Sequence, residues 1–206
     1  MGRKSNAKER IIAAAVRNFW DRSYGSVSVD NLCEDAGVNK GSVYHFFTSK
    51  SAIVFASIDA WWKDLQGLVI EPAFDPEIAP VQRIENLFRN MSDYQKQKQR
   101  DWGKVPGCPF CNLGSELSTR DDDLREKIDE IFDRYKVYLA SALQDARDAG
   151  ELSGDIRNIT DAVFGCLCGL ILQAKIQDDA AIIANLFPNL RSLITNSGNT
   201  SPPKDS

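Results

Sequence analysis

One stretch of this 206-residue chain decides its fold: Ser28–Lys50, which reads SVDNLCEDAGVNKGSVYHFFTSK. Three apolar residues in it recur at i, i+3 and i+4, the spacing of one helix face: Val29, Leu32 and Cys33. Gly37 then provides the left-handed conformation that ends helices, and Asn39 is a suitable N-cap for a second helix over residues 40–47. Helix, glycine-containing turn and helix together predict a helix-turn-helix motif.

The same segment resembles the DNA-binding core of the TetR family of transcriptional regulators. The family pattern has a Ser or Thr N-cap, a Val, an Ile-Ala pair, an Ala-Gly-Val turn, a Leu-Tyr pair, a Phe and a Ser-Lys pair. The matching residues here are Ser28, Val29, Leu32-Cys33, Ala36-Gly37-Val38, Val43-Tyr44, Phe47 and Ser49-Lys50. Leu replaces Ile, Cys replaces Ala and Val replaces Leu. The resemblance covers residues 8–53 and implies a dimeric regulator that binds operator DNA.

The resemblance also implies which residues contact DNA. The second helix of the motif is the recognition helix, and it enters the major groove with its N-terminal half nearest the bases. Lys40 can reach a guanine edge or a phosphate, and Gly41 lets the backbone approach DNA closely. Lys50 is expected to bind phosphate, as is the positive end of the helix that Ser28 caps. The predicted DNA-binding residues are Ser28, Asn39, Lys40, Gly41, Ser42, Tyr44, His45 and Lys50.

The charge distribution agrees with a protein that meets DNA with one end. The whole chain has a net charge of −4, which argues against affinity for nucleic acid over its entire surface. Residues 1–50, however, hold eight Lys or Arg and five Asp or Glu, a charge of +3, which leaves −7 for residues 51–206. A basic N-terminal part on an acidic body therefore indicates a localised DNA-binding surface.

No targeting or membrane segment is visible in the sequence. The longest apolar run, residues 162–172, is about half of the roughly 20 residues that a membrane span needs. The N-terminus has no apolar stretch behind its charges, so no signal peptide is predicted. The five cysteines, an odd number, are then expected to be reduced thiols. We expect a cytoplasmic protein with no membrane partner.

The rest of the chain predicts an all-α fold of about nine helices. They are expected over residues 5–22, 28–36, 40–47, 50–68, 81–99, 108–117, 123–149, 155–177 and 179–196. Loops are expected at residues 71–80 and 101–107, where proline and glycine recur. The predicted domains are a three-helix DNA-binding head (1–47), a ligand-binding and dimerisation body (48–196) and a disordered tail (197–206).

Periodicity also predicts which side chains are buried. The apolar stripe of the first helix is expected to be Ile12, Ala15, Val16 and Phe19. Trp61 and Trp62 point about 100° apart, so we expect one of them to be core and the other to line a pocket or to pack on helix one. The polar run 95–100 is expected to be solvated.

Two C-terminal helices are more apolar than a single body of this size requires. Residues 162–172 are apolar nearly all round, which a helix tolerates only where most sides are buried. Gly165 and Gly169 would let another helix approach closely. We expect these helices to be half of a four-helix homodimer interface, which the resemblance also implies.

The resemblance implies a pocket for a small-molecule effector among helices four to eight. The aromatic character of the available side chains predicts an effector that is at least partly aromatic or apolar, although each residue could equally fill the core. The candidate ligand-binding residues are Trp61, Phe88, Met91, Trp102, Cys108, Phe110, Cys111, Phe132 and Tyr135.

The sequence Cys108-Pro109-Phe110-Cys111 has two functional interpretations. Proline is favoured at the first position of a helix, which makes Cys108 an N-cap whose thiolate the helix end stabilises and Cys111 a partner for its oxidation. Some members of the family sense oxidants through cysteines. Alternatively, Cys108 is only a cap and Cys111 only core.

The same four residues resemble the redox motif of glutaredoxins, so a helical thiol–disulfide oxidoreductase that uses Cys108 and Cys111 is a second hypothesis. No strand is predicted before the motif, which argues against it. A DNA-compacting protein without an effector is a third hypothesis. A footprint confined to one operator would exclude it.

Other chemistry has little support in the sequence. There is no glycine-rich phosphate loop and no nucleophile elbow, and His45 is the only histidine. Cys166 and Cys168 are two apart on an apolar helix and face different directions, and Cys33 is at a core position, so four zinc ligands are not available. We predict no catalytic residue, no metal and no cofactor. The sequence favours a dimeric repressor released by a small molecule or by cysteine modification.

Overall fold

The computed structural model describes residues 6–185 and 187–188, and all regular structure in them is helical. The helices are α1 (Ala7–Asp21), α2 (Val29–Ala36), α3 (Lys40–Phe46), α4 (Lys50–Leu65), α5 (Glu71–Ala73), α6 (Pro80–Trp102), α7 (Pro109–Leu117), α8 (Asp122–Asp148), α9 (Ile156–Gln177) and α10 (Ile182–Asn185). The predicted all-α fold is confirmed. Nine of these helices correspond to predicted ones, and the single turn α5 is additional.

The largest local difference follows α4. The chain continues through a π-helical turn, Gln66–Ile70, directly into α5, so the predicted loop at 71–80 starts only at residue 74. Pro80 then occupies the first position of α6, where a missing backbone N–H costs nothing. Gly103, with φ 81°, ends α6 three residues beyond the predicted boundary at 99.

The last predicted helix is described only at its start. Within residues 179–196, α10 covers Ile182–Asn185, and the side chains of Ile183 and Phe187 are buried. The rest of that helix, from residue 189 onward, and the predicted disordered tail at 197–206 lie outside the described residues.

The chain divides into two compact units, which do not coincide with the predicted domains. The first unit comprises residues 1–66 and 106–131, and the second comprises residues 67–105 and 132–206. Helices α4 and α7 therefore group with the helix-turn-helix. The functional division at residue 47 stays a prediction.

In the first unit, α1 packs against α2 and α4. Ala15 and Phe19 are buried as predicted, whereas Ile12 and Val16 are only half-buried and Ile11 is buried instead. Asn18, which looks polar in the sequence, is also buried. Its amide donates hydrogen bonds to the Ala14 carbonyl at 2.9 Å and to Asp35 Oδ2 at 2.6 Å.

Both adjacent tryptophans of α4 are buried. Trp61 is 2% exposed and Trp62 8%, so both belong to the core. The predicted packing of one of them on helix one agrees with the ring contact between Trp61 and Trp20 of α1. In the first unit α4 contacts both α1 and α7, and a helix covered on more than one side can bury side chains that point about 100° apart. Trp61 makes edge-to-face ring contacts with Trp20 at 6.0 Å and with Phe110 at 6.2 Å between centroids.

In the second unit, α6 packs against α10. Phe88 of α6 contacts Phe187, with 5.2 Å between ring centroids, and the Ser92 hydroxyl donates to the Ala180 carbonyl at 2.8 Å. Gln95 is 1% exposed, so the run that was predicted to be solvated over 95–100 starts only at residue 96. Gln95 lies on the face of α6 that holds Phe88 and Ser92, because seven residues make two helical turns.

Helix α9 keeps an uncovered apolar side within the single chain. Leu172 is 55% exposed and Ile176 74%, although residues 162–172 were predicted to be buried on most sides. An added Cβ at Gly165 or Gly169 would meet no atom within 4 Å. By length and composition alone α9 could cross a membrane, a criterion that core helices of soluble proteins also satisfy.

Candidate nucleic-acid interface

Ser28 begins the first helix of the motif with a reciprocal cap. The Asn31 backbone N–H donates to Ser28 Oγ at 3.1 Å, and the Ser28 N–H donates to Asn31 Oδ1 at 3.0 Å. Two N–H groups that would lack helical partners are therefore satisfied. The predicted capping role of Ser28 is confirmed, while its phosphate contact stays a prediction.

The turn between the two helices is the predicted one. Gly37 has φ 61° and ψ 42°, and the Val38 N–H donates to the Cys33 carbonyl at 3.0 Å, which closes α2 in a left-handed C-cap. The Arg10 guanidinium lies 3.5 Å from the Gly37 carbonyl. This arginine lines an open groove of about 560 Å³ with Gly37, Asn39 and Ser42, which borders the start of α3.

Asn39 caps α3 as predicted. Its Oδ1 accepts the Ser42 backbone N–H at 2.8 Å and the Ser42 hydroxyl at 3.1 Å. A Cβ added to Gly41 would lie 3.3 Å from the same Oδ1. A side chain at this position would therefore crowd the cap, and the predicted close approach of Gly41 to DNA stays a prediction.

The face of α3 opposite the core carries the remaining predicted DNA contacts. Val43 is fully buried, whereas Lys40, Tyr44 and His45 are exposed. Tyr44 is 56% exposed, an unusual value for a large side chain. The His45 ring stacks edge-on against Phe46 with 4.8 Å between centroids. One helix surface thus presents a cation, a phenol and an imidazole.

Lys40 has a partner that the sequence reading missed. Its Nζ lies 2.7 Å from Asp30 Oδ1, and both side chains are exposed. The hydrogen bond to Asp30, followed by the charge of that carboxylate, raises the pKa of Lys40. Because both residues stand in the first turns of neighbouring helices, only the fold brings them together.

Lys50 is held by the turn that precedes the motif. Its ammonium donates a hydrogen bond to the Tyr24 carbonyl and lies 3.8 Å from the centre of the Tyr24 ring. Burial lowers the pKa of Lys50, and the nearby Glu116 carboxylate opposes this effect. The side chain was predicted to bind phosphate; in the structure it fastens α4 to residues 24–26.

Glu116 of α7 binds the same turn from another direction. Its carboxylate accepts the Tyr24 N–H at 2.7 Å and the Gly25 N–H at 3.1 Å. Burial raises the pKa of the Tyr24 phenol, and the charges of Asp121 and Glu116 add to this. No sequence signal marked Glu116, because its partners are more than 90 residues away in the chain.

Helix α7 also contacts the end of α1. The Trp20 indole N–H donates to the Gly107 carbonyl at 2.8 Å, and Asn112 Nδ2 lies 3.4 Å from the Trp20 carbonyl. Helix α7 is therefore joined to residues 20–25 near both of its ends.

The start of α7 has the predicted geometry. Pro109 is its first residue, and Cys108 Sγ accepts the Cys111 N–H at 3.5 Å. Both thiols are half-buried. All five cysteines lie in the described part of the chain, and none forms a disulfide there. Burial raises the pKa of the Cys33 and Cys166 thiols, and this makes them poor nucleophiles.

The candidate ligand-binding residues fall into both compact units. The structure brings Trp61 and Phe110 into ring contact in the first unit, where Cys108 and Cys111 also lie. Phe88, Met91, Trp102, Phe132 and Tyr135 belong to the second unit.

There, Phe132 and Tyr135 both contact Phe164, at 5.1 and 5.7 Å between centroids, and Lys98 Nζ lies 5.6 Å from the Trp102 ring. Their ligand-binding role stays a prediction. Within the described residues, no three potential metal ligands come together.

Comparison with protein families gives two matches that together cover most of the chain. Residues 11–56 match the family described as "Bacterial regulatory proteins, tetR family", and residues 80–187 match "Tetracyclin repressor-like, C-terminal domain". The first match contains the helix-turn-helix described above.

Individual relatives agree with the family matches. The transcriptional regulator AcuR of Cereibacter sphaeroides is 30% identical over 175 residues, which are 84% of this chain and 78% of AcuR. The repressor NemR of Escherichia coli strain K12 is 23% identical over 195 residues, 92% of this chain and 94% of NemR.

A crystal structure of the regulatory protein TetR from Rhodobacter sphaeroides superposes with a TM-score of 0.81 at 26% identity, over 92% of this chain and all of that one. A crystal structure of the reduced form of E. coli NemR, 23% identical, has the same fold, with a TM-score of 0.74 over 91% of this chain and 97% of that one.

Proposed function

This chain belongs to the TetR family of bacterial transcriptional regulators, and on that premise we propose that it is a repressor that binds a near-palindromic operator as a homodimer. The observation that carries the proposal is the exposed face of α3, where Lys40, Tyr44 and His45 stand clear of a helix whose other side is buried. A helix with this division of faces fits the major groove. Such a protein works where the DNA is, in the cytoplasm.

Two lysines have different roles in this proposal. Lys40 reaches base edges, which requires it to exchange its Asp30 partner for DNA. Lys50 neutralises phosphate with the part of its ammonium that the Tyr24 carbonyl leaves uncovered. Ser28, at the positive end of α2, lies next to a second phosphate.

The uncovered apolar side of α9 supports the homodimer. Leu172 and Ile176 are exposed, and Gly165 and Gly169 leave space beside the helix backbone. Burial of this surface against the same surface of a second copy would stabilise the dimer by about 25 cal/mol for each Å² of apolar area removed from water. A twofold dimer would then match the symmetry of a palindromic operator.

Release is proposed to follow binding of a small apolar or aromatic effector, which favours a spacing of the two heads that misfits the operator. Oxidation of Cys108 is a second trigger. Peroxide would convert the Cys108 thiol to a sulfenic acid with loss of one water, and the Cys111 thiol would displace a second water to form the disulfide. The Cys111 N–H then loses its sulfur cap, which loosens the first turn of α7.

A DNase footprint on the sequence upstream of the adjacent gene tests operator binding. Lys50→Ala should weaken binding to cognate and scrambled DNA alike and lower the salt slope by about one unit. Lys40→Ala should in addition alter base preference at one position. The matched control is Lys63→Ala, at the far end of α4 and exposed, which should leave both measurements unchanged. Identical effects of Lys40→Ala on cognate and scrambled DNA would refute base reading by Lys40.

Dimerisation is tested on α9. Leu172→Glu should give a monomer that loses operator binding, since each head alone contacts only half of the site. A monomer with unchanged operator affinity would contradict the proposed coupling. Val137→Glu, a change at another exposed apolar residue (67% exposed), on α8, is the control for the added charge.

A further inference from the structure

We propose that the indole N–H of Trp61 is the donor that recognises the effector, and that the effector carries a neutral carbonyl oxygen beside its apolar or aromatic part. This inference rests on the effector response proposed above and adds the chemical class of the effector. Trp61 is 2% exposed, and its Nε1 has no hydrogen-bond partner among the described residues.

An unpaired buried donor needs an explanation. More than about 90% of buried polar groups in folded proteins have a partner, because a donor that loses water and gains no acceptor destabilises the fold. In this case the donor sits on α4, the helix that carries Lys50 at its other end. An acceptor that arrives with a ligand would satisfy the N–H only in the bound state, which makes the free state receptive.

Trp20 shows that the same unit can satisfy an indole when it is structural. The Trp20 N–H donates to the Gly107 carbonyl at 2.8 Å, and its ring meets that of Trp61 edge-to-face at 6.0 Å. The two tryptophans are in contact and equally buried, and they differ in whether the indole N–H has an acceptor. One has a backbone acceptor and the other has none.

The surroundings of Trp61 select the kind of acceptor. Its two ring neighbours, Trp20 and Phe110, are aromatic and carry no positive charge. A carboxylate placed among them would lose its hydration without gaining a counter-ion, whereas a ketone, ester or amide oxygen loses much less. Apolar rings also favour the flat hydrocarbon part of an aromatic ligand.

The test uses the full-length protein with ¹⁵N-labelled indole groups and three probes: acetophenone, methyl benzoate and benzamide. The hydrocarbon α-methylstyrene serves as the isostere of acetophenone that lacks the acceptor. We expect a carbonyl probe to shift the Trp61 N–H resonance towards the hydrogen-bonded range and to leave the N–H of Trp20 in place. Acetophenone should bind about three- to tenfold more tightly than α-methylstyrene, the worth of one neutral hydrogen bond.

Two variants separate the donor from the ring. Trp61→Phe should abolish the preference for acetophenone, while Trp20→Phe should lower the melting temperature through the loss of its Gly107 contact and keep the preference. If Trp61→Phe fails to fold, the resonance shift in the wild type still decides. A preference that survives Trp61→Phe overturns the proposal.

Three further results would also overturn it. The first is that none of the three carbonyl probes shifts the Trp61 N–H resonance. The second is that the carboxylate benzoate, added as a charged probe, binds more tightly than acetophenone. The third is a Trp61 N–H resonance in the hydrogen-bonded range without ligand, which would place a water there. The footprint is measured on the same preparation. A clear footprint without a carbonyl response refutes this inference alone, and a missing footprint with a carbonyl response refutes operator binding alone.

Discussion

The starts of α3 and α7 lie in the same compact unit and are built from different atoms. Helix α3 begins at Asn39, whose side-chain oxygen Oδ1 accepts the Ser42 N–H at 2.8 Å, and α7 begins at Cys108, whose sulfur accepts the Cys111 N–H at 3.5 Å. Sulfur is a weak acceptor, and oxygen is a good one. Helix α3, the proposed recognition helix, thus begins with a strong cap, and α7 begins with a weak cap that chemistry can alter.

The strongest test of this difference is oxidation. Peroxide should reduce operator affinity of the wild type by roughly 5- to 150-fold, the usual range of coupling between two sites. Cys108→Ser should keep full affinity after the same treatment, since it retains a cap and loses the thiol. Filter binding with and without dithiothreitol measures both. Equal loss or equal retention of binding in the two proteins would contradict oxidation sensing at Cys108.

The link from α7 to the head should depend on Glu116. Replacing it with alanine leaves the N–H groups of Tyr24 and Gly25 without their acceptor, so we expect a loss of about 1–3 kcal/mol in the free energy of unfolding. Glu116→Gln retains one acceptor oxygen and should lose less. Glu130→Ala, at an exposed site on α8, is the control and should change little. Urea denaturation compares the three. Equal stability of Glu116→Ala and Glu130→Ala would remove Glu116 from the link.

The oxygen cap itself should be worth somewhat less. Asn39→Ala removes the acceptor at the start of α3 and should cost about 0.5–2 kcal/mol of stability. Asn39→Asp keeps an oxygen in the same place and should restore most of it. Thermal unfolding monitored by circular dichroism separates them. An alanine variant as stable as the wild type would show that the cap does not hold the recognition helix.

The sulfur cap should have the smallest effect on stability. Cys108→Ala removes a weak acceptor and should change the free energy of unfolding by less than Asn39→Ala does, and Cys108→Ser should be stabilising by a few tenths of a kcal/mol because a hydroxyl caps better than a thiol. A large loss in Cys108→Ala would make this cap as structural as that of α3.

Alkylation rates extend the comparison to four of the five thiols. At neutral pH iodoacetamide should label Cys108 and Cys111 before Cys33 and Cys166, because burial raises the pKa of the latter two and leaves little thiolate. Raising the pH towards their raised pKa values should narrow the difference. Mass spectrometry of timed digests measures the order, and prior labelling of Cys33 would contradict it.

The sequence was informative wherever the deciding contacts are local. The caps by Ser28 and Asn39, the left-handed Gly37 and the cap by Cys108 involve partners within five residues, so residue type and spacing were enough. The recurrence of apolar residues every three to four positions likewise predicted the helices. These features depend on backbone geometry that repeats in every helix.

Contacts between distant segments could not be predicted in this way. The partners of Lys40, Lys50 and Glu116 came only with the structure, because hydrophobic periodicity tells which face of a helix is buried and not what lies against it. The burial of Asn18 in α1 was not predicted for the same reason. A polar residue satisfied by a tertiary hydrogen bond looks solvent-facing in one dimension.

The hydrogen bonds between Glu116 and residues 24–26 affect the design of hybrid regulators in which DNA-binding heads are exchanged. A hybrid that takes this chain only up to residue 47 would contain the turn at 24–26 but not the Glu116 carboxylate that accepts its N–H groups. Those N–H groups would then face a helix of the other protein that lacks the matching carboxylate. The portable module is discontinuous: residues 1–66 travel with residues 106–131. Hybrids joined at those positions would carry the proposed recognition helix together with the turn at 24–26 and the Glu116 carboxylate that binds it.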